Sequence, residues 1–138
     1  MITQKDGTYR NFYTGVESVC GGRYDLLLVT LEKGDVANEH LRYKDFPMSE
    51  LRFHWQSQAD TRQEDKKGRR HLRLAEEKVV PLLFVRERKK DERGITCAFR
   101  FLGPVTPDRF QGERPISIEW KLGTPLRPEW VRRWSNVG

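Results

Sequence analysis

Cysteine is nearly missing from this sequence: Cys20 and Cys97 are the only two in 138 residues, with no CxxC pair and no histidine cluster beside them. Neither a disulfide-stapled secreted scaffold nor a zinc site is indicated. Cys97 falls at an apolar strand position, so a buried, reduced thiol is expected there, with a single disulfide as the alternative. The three histidines, His40, His54 and His71, lack metal-ligand spacing. Long apolar runs are also missing. Nothing approaches the ~20 residues of a membrane span and no apolar leader opens the chain, so a cytoplasmic protein with no membrane partner is expected. There is no GxSxG, no P-loop and no glycine-rich dinucleotide fingerprint. Gly21-Gly22 precedes a strand pattern and reads as a turn. No side chain stands out as a nucleophile, so the expectation is a binding module without cofactor or metal, not an enzyme.

What is present is charge and aromatic bulk. Lys and Arg number 26 against 20 Asp and Glu, a formal net charge of +6, and 33% of residues are charged. Such an excess favours polyanionic partners without naming one. Seven Phe, four Tyr and four Trp supply large apolar area per residue. At this length one domain with one core is the natural expectation.

Helical periodicity is scarce, whereas period two recurs. Tyr24 to Leu31 is apolar on both faces, like a covered central strand. Leu51, Phe53 and Trp55 alternate with Arg52, His54 and Gln56. Val79 to Val85 is a further apolar run, which Pro81 assigns to an edge or a bulge. Ile95, Cys97, Phe99 and Phe101 alternate with Thr96, Ala98, Arg100 and Leu102. Ile116, Ile118, Trp120 and Leu122 alternate with Ser117, Glu119 and Lys121. Five strands with mostly short connections predict a mainly β fold: a small antiparallel barrel or a strongly curved sheet, with one or two short helices. The helices are expected at Arg69–Lys78 and Pro128–Trp134, the second with Trp130 and Trp134 on one face. Residues 1–25 are weakly patterned and read as an N-terminal arm or linker. Residues 26–138 read as a single β-rich recognition domain.

The most distinctive string is Phe53-His54-Trp55-Gln56-Ser57-Gln58, which runs into a basic connection holding Arg62, Lys66, Lys67, Arg69, Arg70, His71 and Arg73. Its chemistry suits a nucleic acid. A Gln amide can pair with a base edge, a Trp face can stack on a base, and flanking cations can anchor phosphates. The expected base contacts are His54, Gln56, Gln58 and Trp55; the expected phosphate contacts are Arg62, Lys66, Lys67, Arg69 and Arg70. A plainer alternative stands beside this: Trp55 shares the Phe53 face and would be core, while the amides and cations would be solvated. Arg86 to Arg93 reads as an ordinary charged hairpin turning near Asp91 to Gly94.

A second pattern is Pro107-Asp108 followed by Glu119-Trp120-Lys121. It matches the loose proline-aspartate…acidic-x-lysine pattern of many metal-dependent nucleases, with Asp108 and Glu119 as Mg²⁺ ligands and Lys121 near the attacking water. The helix-flanked sheet that usually carries such a site is not predicted, and alternating charges on a wet strand face produce the pattern by chance. A third alternative is a protein-docking module, using an apolar surface near Trp130 and Trp134.

Several strings, in order, carry a family likeness: Leu28-Val29-Thr30-Leu31, Tyr43 with Asp45, Phe53 through Gln58, Gly68, Leu83 through Glu87, Phe101-Leu102-Gly103-Pro104 and Pro115 through Leu122. From about Leu26 onward the sequence resembles the uncharacterised domain at the C-terminal end of bacterial restriction-type superfamily 2 helicases, which often also carry a phospholipase-D-like nuclease region. The resemblance implies part of an antiphage defence enzyme that handles foreign, double-stranded DNA. With helicase and nuclease regions elsewhere, this domain's role would be to recognise the substrate. For the docking alternative, the resemblance implies a helicase or nuclease partner. By analogy with pseudouridine-synthase-and-archaeosine-transglycosylase-like barrels and base-flipping readers, the finer expectation is a modified or flipped base. Members of that family often carry an apolar residue at the position of Glu119, which counts against the nuclease.

Overall fold

The computed structural model describes residues 15–31 and 45–135, together with the backbone of two short paired strands, β1 (Ile2–Thr3) and β2 (Tyr9–Arg10). His40 and Tyr43 lie outside the described residues. The chain continues through β3 (Gly15–Val19), a 3-10 turn (Cys20–Gly22), β4 (Tyr24–Thr30), β5 (Phe46–Ser49) and β6 (Arg52–Gln56). Two short helices follow, α1 (Lys66–Leu72) and α2 (Leu74–Glu77), then β7 (Val80–Arg86), β8 (Arg100–Gln111), β9 (Ser117–Leu122) and α3 (Pro128–Ser135).

Strands β3 to β9 form one mixed sheet in the order β3-β4-β7-β8-β9-β6-β5. Every neighbouring pair is antiparallel except β4–β7, which is parallel. The sheet is not closed, with β3 and β5 at its edges. Of the two forms expected, the strongly curved sheet is the one found, and the all-antiparallel expectation gives way at β4–β7. Part of the segment expected to be an arm, Gly15–Val19, is an edge strand of this sheet.

The curvature runs through β8, a 12-residue strand that pairs with β7 along its first part and with β9 along its second. Leu27, Val29, Leu83 and Val85 from one half therefore join Phe53, Trp55, Ile118, Trp120 and Leu122 from the other in one buried cluster. A flat sheet could not bring these side chains together. Alternation is cleanest in β6 and β9, where Phe53, Trp55, Ile118, Trp120 and Leu122 are buried while His54, Gln56, Ser117 and Glu119 are part-exposed. In β4 both faces are buried, as the unbroken apolar run required.

β7 is interior, between β4 and β8, so of the edge or bulge expected for this run the bulge is found, as a register shift between Leu83 and Phe84; Pro81 itself precedes the β8 pairing, which starts at Leu82. One strand expectation needs correction. The alternation from Ile95 to Phe101 has the wrong inward side. Ile95 and Phe101 are 57% and 58% exposed, whereas Leu102 is buried. The strand starts only at Arg100, and the preceding residues belong to a hairpin that stands off the sheet. Cys97, expected to be buried, is a free, half-buried thiol there.

The predicted C-terminal helix is present as α3, with Trp130 and Trp134 stacked at 5.3 Å. The predicted Arg69–Lys78 helix is two, α1 starting earlier at Lys66 and α2 ending where Lys78 takes a left-handed conformation. No helix among the described residues is long and apolar enough to cross a membrane.

Candidate nucleic-acid interface

Neighbours on a strand face opposite ways, and this divides the predicted cationic rim. His54 and Gln56 lie on the outer face of β6. Trp55 faces inward, 5% exposed, with His71 edge-on at 5.1 Å and Trp120 at 5.7 Å. Buried in this way it is a core residue, and no base can lie on it. Because His71 packs on Trp55 and Trp120, α1 covers the inner face of β6 and β9, the side away from His54 and Gln56.

The cations of the connection are partly committed. Arg70 grips the buried Asp25: Nε donates to Oδ2 (3.2 Å), and its terminal nitrogen donates to Oδ1 (2.6 Å) and to the Gly22 carbonyl (2.6 Å). Ser18 Oγ donates to the same carboxylate at 2.6 Å. Arg70 is thereby a structural tie rather than a phosphate contact. Lys67 Nζ donates to Gln58 Oε1 at 2.8 Å, and Arg73 pairs with Glu64 and Glu76. Arg69 is half-buried, its Nε without a hydrogen-bond partner. Arg62 and Lys66 are exposed. The nine residues expected as one interface thus fall into three places: the outer face, the core and the α1 flank.

The outer face holds a concave site. A groove of about 720 Å³ is lined by His54 of β6, Ser117 and Glu119 of β9, and Asp108, Arg109, Phe110 and Gln111 of β8. Register explains the assembly: His54 is opposite Glu119, which on its other side is opposite Arg109, so imidazole, carboxylate and guanidinium cross three adjacent strands. One step along, Gln56 is opposite Ser117, and its Nε2 donates to Ser117 Oγ at 3.2 Å. His54 stacks on Phe46 at 4.8 Å, which fixes its ring. Phe110 is paired with the buried Ile118 and so borders the groove through its backbone, its side chain turned to the other face of β8 and 48% exposed. This volume is ordinary for a small-ligand site. Its walls offer amide, hydroxyl and guanidinium groups beside the flat imidazole of His54, a set that can read a base edge and its flat face.

Asp108, Arg109, Phe110 and Gln111 carry half of this groove. Only Asp108 was singled out from sequence, and for another chemistry. Pro104, Pro107 and Gly103 mask the strand pattern. A register shift between Pro107 and Arg109 turns the strand locally, a β-bulge of the kind often found beside functional sites. The one available signal was the continuous stretch of strand-compatible residues Val105-Thr106 and Arg109-Phe110-Gln111 around those prolines.

The candidate nuclease residues do meet here, since Asp108 and Glu119 share the groove and Lys121 lies opposite Arg52. Asp108, however, is ion-paired with Arg52. The hydrogen bond from Arg52, with the charges of Arg52, Arg109 and Lys121, holds its carboxyl below the usual carboxylate range. Three cations around one carboxylate disfavour a divalent metal ion. Among the described residues no group of three His, Cys, Asp or Glu is placed to hold one. At α3, where a docking surface was expected, Trp134 is buried with Nε1 donating to Glu87 at 3.1 Å, and Trp130 is half-buried, stacked on Trp134 with the Arg100 and Arg127 guanidiniums over its ring.

On the inner side, His71 borders a cavity of about 70 Å³ with Val16, Ser18, Asp25, Gln58, Lys67 and Arg70. Burial pushes its pKa down to about 4, with Arg70 and Lys67 adding to the shift and Asp25 opposing it. As pH falls from 6.5 to 4 the unfolded chain takes up a proton that the folded chain refuses. Stability therefore declines across that window and levels off below it, by up to about 3 kcal/mol. Urea unfolding at pH 7.5 and 4.5 checks this: wild type should lose that increment and His71→Gln should not. An equal loss in both would show that other groups carry the acid sensitivity.

Comparison with known families finds one match: a model described as "Domain of unknown function (DUF3427)" covers residues 18–133. No curated protein matches the chain.

Proposed function

The chain belongs to the DUF3427 family, and from that premise we propose that it is a DNA-binding recognition module of a bacterial defence system, whose β8–β9–β6 groove receives a modified or flipped base. The observation that carries this reading is the groove itself, where the His54 ring, stacked on Phe46, stands among the polar side chains of Gln111, Ser117 and Arg109. His54 supplies a flat aromatic face, and the amide and hydroxyl supply donors and acceptors for a base edge. The net charge of +6 supports a polyanionic ligand. The likeness to the C-terminal domain of restriction-type helicases supports DNA as the polymer, with helicase and nuclease regions of the same or a partner protein as its working context. In this role the domain binds and does no chemistry of its own.

The test is binding of plain, methylated and phage-type modified duplexes, at two salt concentrations. We expect salt-dependent binding, tightest for one modified duplex. His54→Ala should weaken that binding about tenfold or more, the worth of one stacked base. Absence of salt-dependent binding to every duplex would end the proposal, and cleavage of DNA in Mg²⁺ that Asp108→Ala abolishes would favour the nuclease instead.

A further inference from the structure

The densest set of uncommitted cations lies neither in the groove nor on α1. It lies on the hairpin joining β7 to β8. Arg88, Lys89, Lys90 and Arg93 are all exposed, and no side-chain hydrogen bond or ion pair engages any of them among the described residues. Three carboxylates share the segment; Glu87 is held by Arg133 and Trp134, and Asp91 is drawn into the turn. Its Oδ1 accepts the backbone N–H of Arg93 (2.8 Å) and of Ile95 (3.0 Å).

The hairpin is well built. Asp91 N donates to the Ile95 carbonyl, Gly94 N to the Asp91 carbonyl and Cys97 N to the Lys89 carbonyl, and Lys90 bridges Thr96. Gly94 takes the positive φ (79°) that closes the turn. At its root the buried Arg86 donates to the Cys97 carbonyl and lies over the Phe99 ring at 4.2 Å. Such a scaffold presents its side chains in fixed directions. At the tip it presents Ile95, 57% exposed, an apolar residue among four cations.

We infer that this hairpin is a second nucleic-acid contact, in which Arg88, Lys89, Lys90 and Arg93 hold the phosphates of a duplex and Ile95 enters a groove or base step as a wedge. The inference rests on the proposed nucleic-acid reading. Free, exposed cations are the groups that release counterions on binding a duplex, and an apolar side chain between them is the device by which many proteins unstack a step. The placement also suits the groove. β8 starts beyond the hairpin and reaches the groove at its far end, so a single strand joins the two proposed contacts.

The experiment uses the whole chain and a labelled 20-base-pair duplex, titrated from 50 to 200 mM NaCl. Four variants are compared with wild type: the quadruple R88A/K89A/K90A/R93A, the charge-keeping pair R88K/R93K, Ile95→Ser and His54→Ala. The quadruple variant should bind more than tenfold more weakly, with a salt slope shallower by about three to four, while R88K/R93K keeps the wild-type slope. Ile95→Ser should weaken binding severalfold with the slope unchanged. Thermal melts close to wild type establish that these surface variants fold. Wild-type affinity and slope in the quadruple variant overturn the hairpin contact, as does binding of phosphatidylserine vesicles in place of duplex, or no duplex binding at all. The two readings separate cleanly: loss in His54→Ala alone leaves the groove standing and removes the hairpin, and loss in the hairpin variants alone does the reverse.

Discussion

Alanine at position 25 should cost the fold about 3–5 kcal/mol, the range seen when one partner of a buried ion pair is removed. The Asp25 side chain is 2% exposed and the Arg70 side chain 16%, so neither charge is well solvated. Asp25 also accepts from Ser18 on β3, which makes it the point where β3, β4 and α1 are tied together. Without it, Arg70 keeps only the Gly22 carbonyl and its charge is stranded. The check is a urea titration at pH 7, with a second comparison to show the cause. Replacing both partners with apolar residues, Asp25→Leu with Arg70→Met, should recover much of the loss, because no lone charge then remains buried. A loss below 1 kcal/mol in Asp25→Ala would mean that the tie contributes little. One practical result follows for binding studies: Arg70→Ala will weaken any ligand's binding by loosening α1, so it says nothing about phosphate contact.

Gly68→Ala should be comparably damaging, against the helix-propensity expectation. In an isolated helix the change gains about 1 kcal/mol. Here an added Cβ would lie 1.9 Å from the Arg62 carbonyl oxygen and 2.8 Å from that of Gln63. Both are backbone atoms, so no side-chain rotation relieves the clash. α1 must either move off the connection or lose its packing of His71 on Trp55 and Trp120. We expect a loss of about 3 kcal/mol or more, and a Tm lower by roughly 10 °C. A thermal melt decides it. An unchanged Tm would show that the connection before α1 yields freely.

The parts of the fold that could be read beforehand are those where one strand face is core and the other wet. β6 and β9 follow that rule residue by residue, so their buried and part-exposed positions were foreseeable from Phe53-His54-Trp55-Gln56 and from Ile118-Glu119-Trp120. β4 was legible for the opposite reason, its run having no polar side at all. β5 and β8 were not, since Pro47, Pro104 and Pro107 break the pattern although the backbone stays extended at these positions. The site suffered from a different limit. His54 and Gln56 do line or border the groove, but Trp55 between them faces the core, and the basic residues that follow in sequence turn back beneath the sheet on α1. Proximity along the chain stood in for proximity in space, and the fold separates the two. The groove's other half comes from β8, some 60 residues away, and pairing of that kind leaves no local trace.

The strand order also sets a schedule for synthesis. Gln56 and the Ser117 it bonds are 61 residues apart in sequence. A ribosome adding 5–20 residues per second therefore leaves β6 without β9 for roughly 3–12 s. During that interval β5 and β6 are a lone hairpin, marginal by itself in water, with Phe53 and Trp55 uncovered. The nascent chain is consequently most open to proteases and holdase chaperones late in translation, just before Leu122 emerges and the last gap in the sheet is filled.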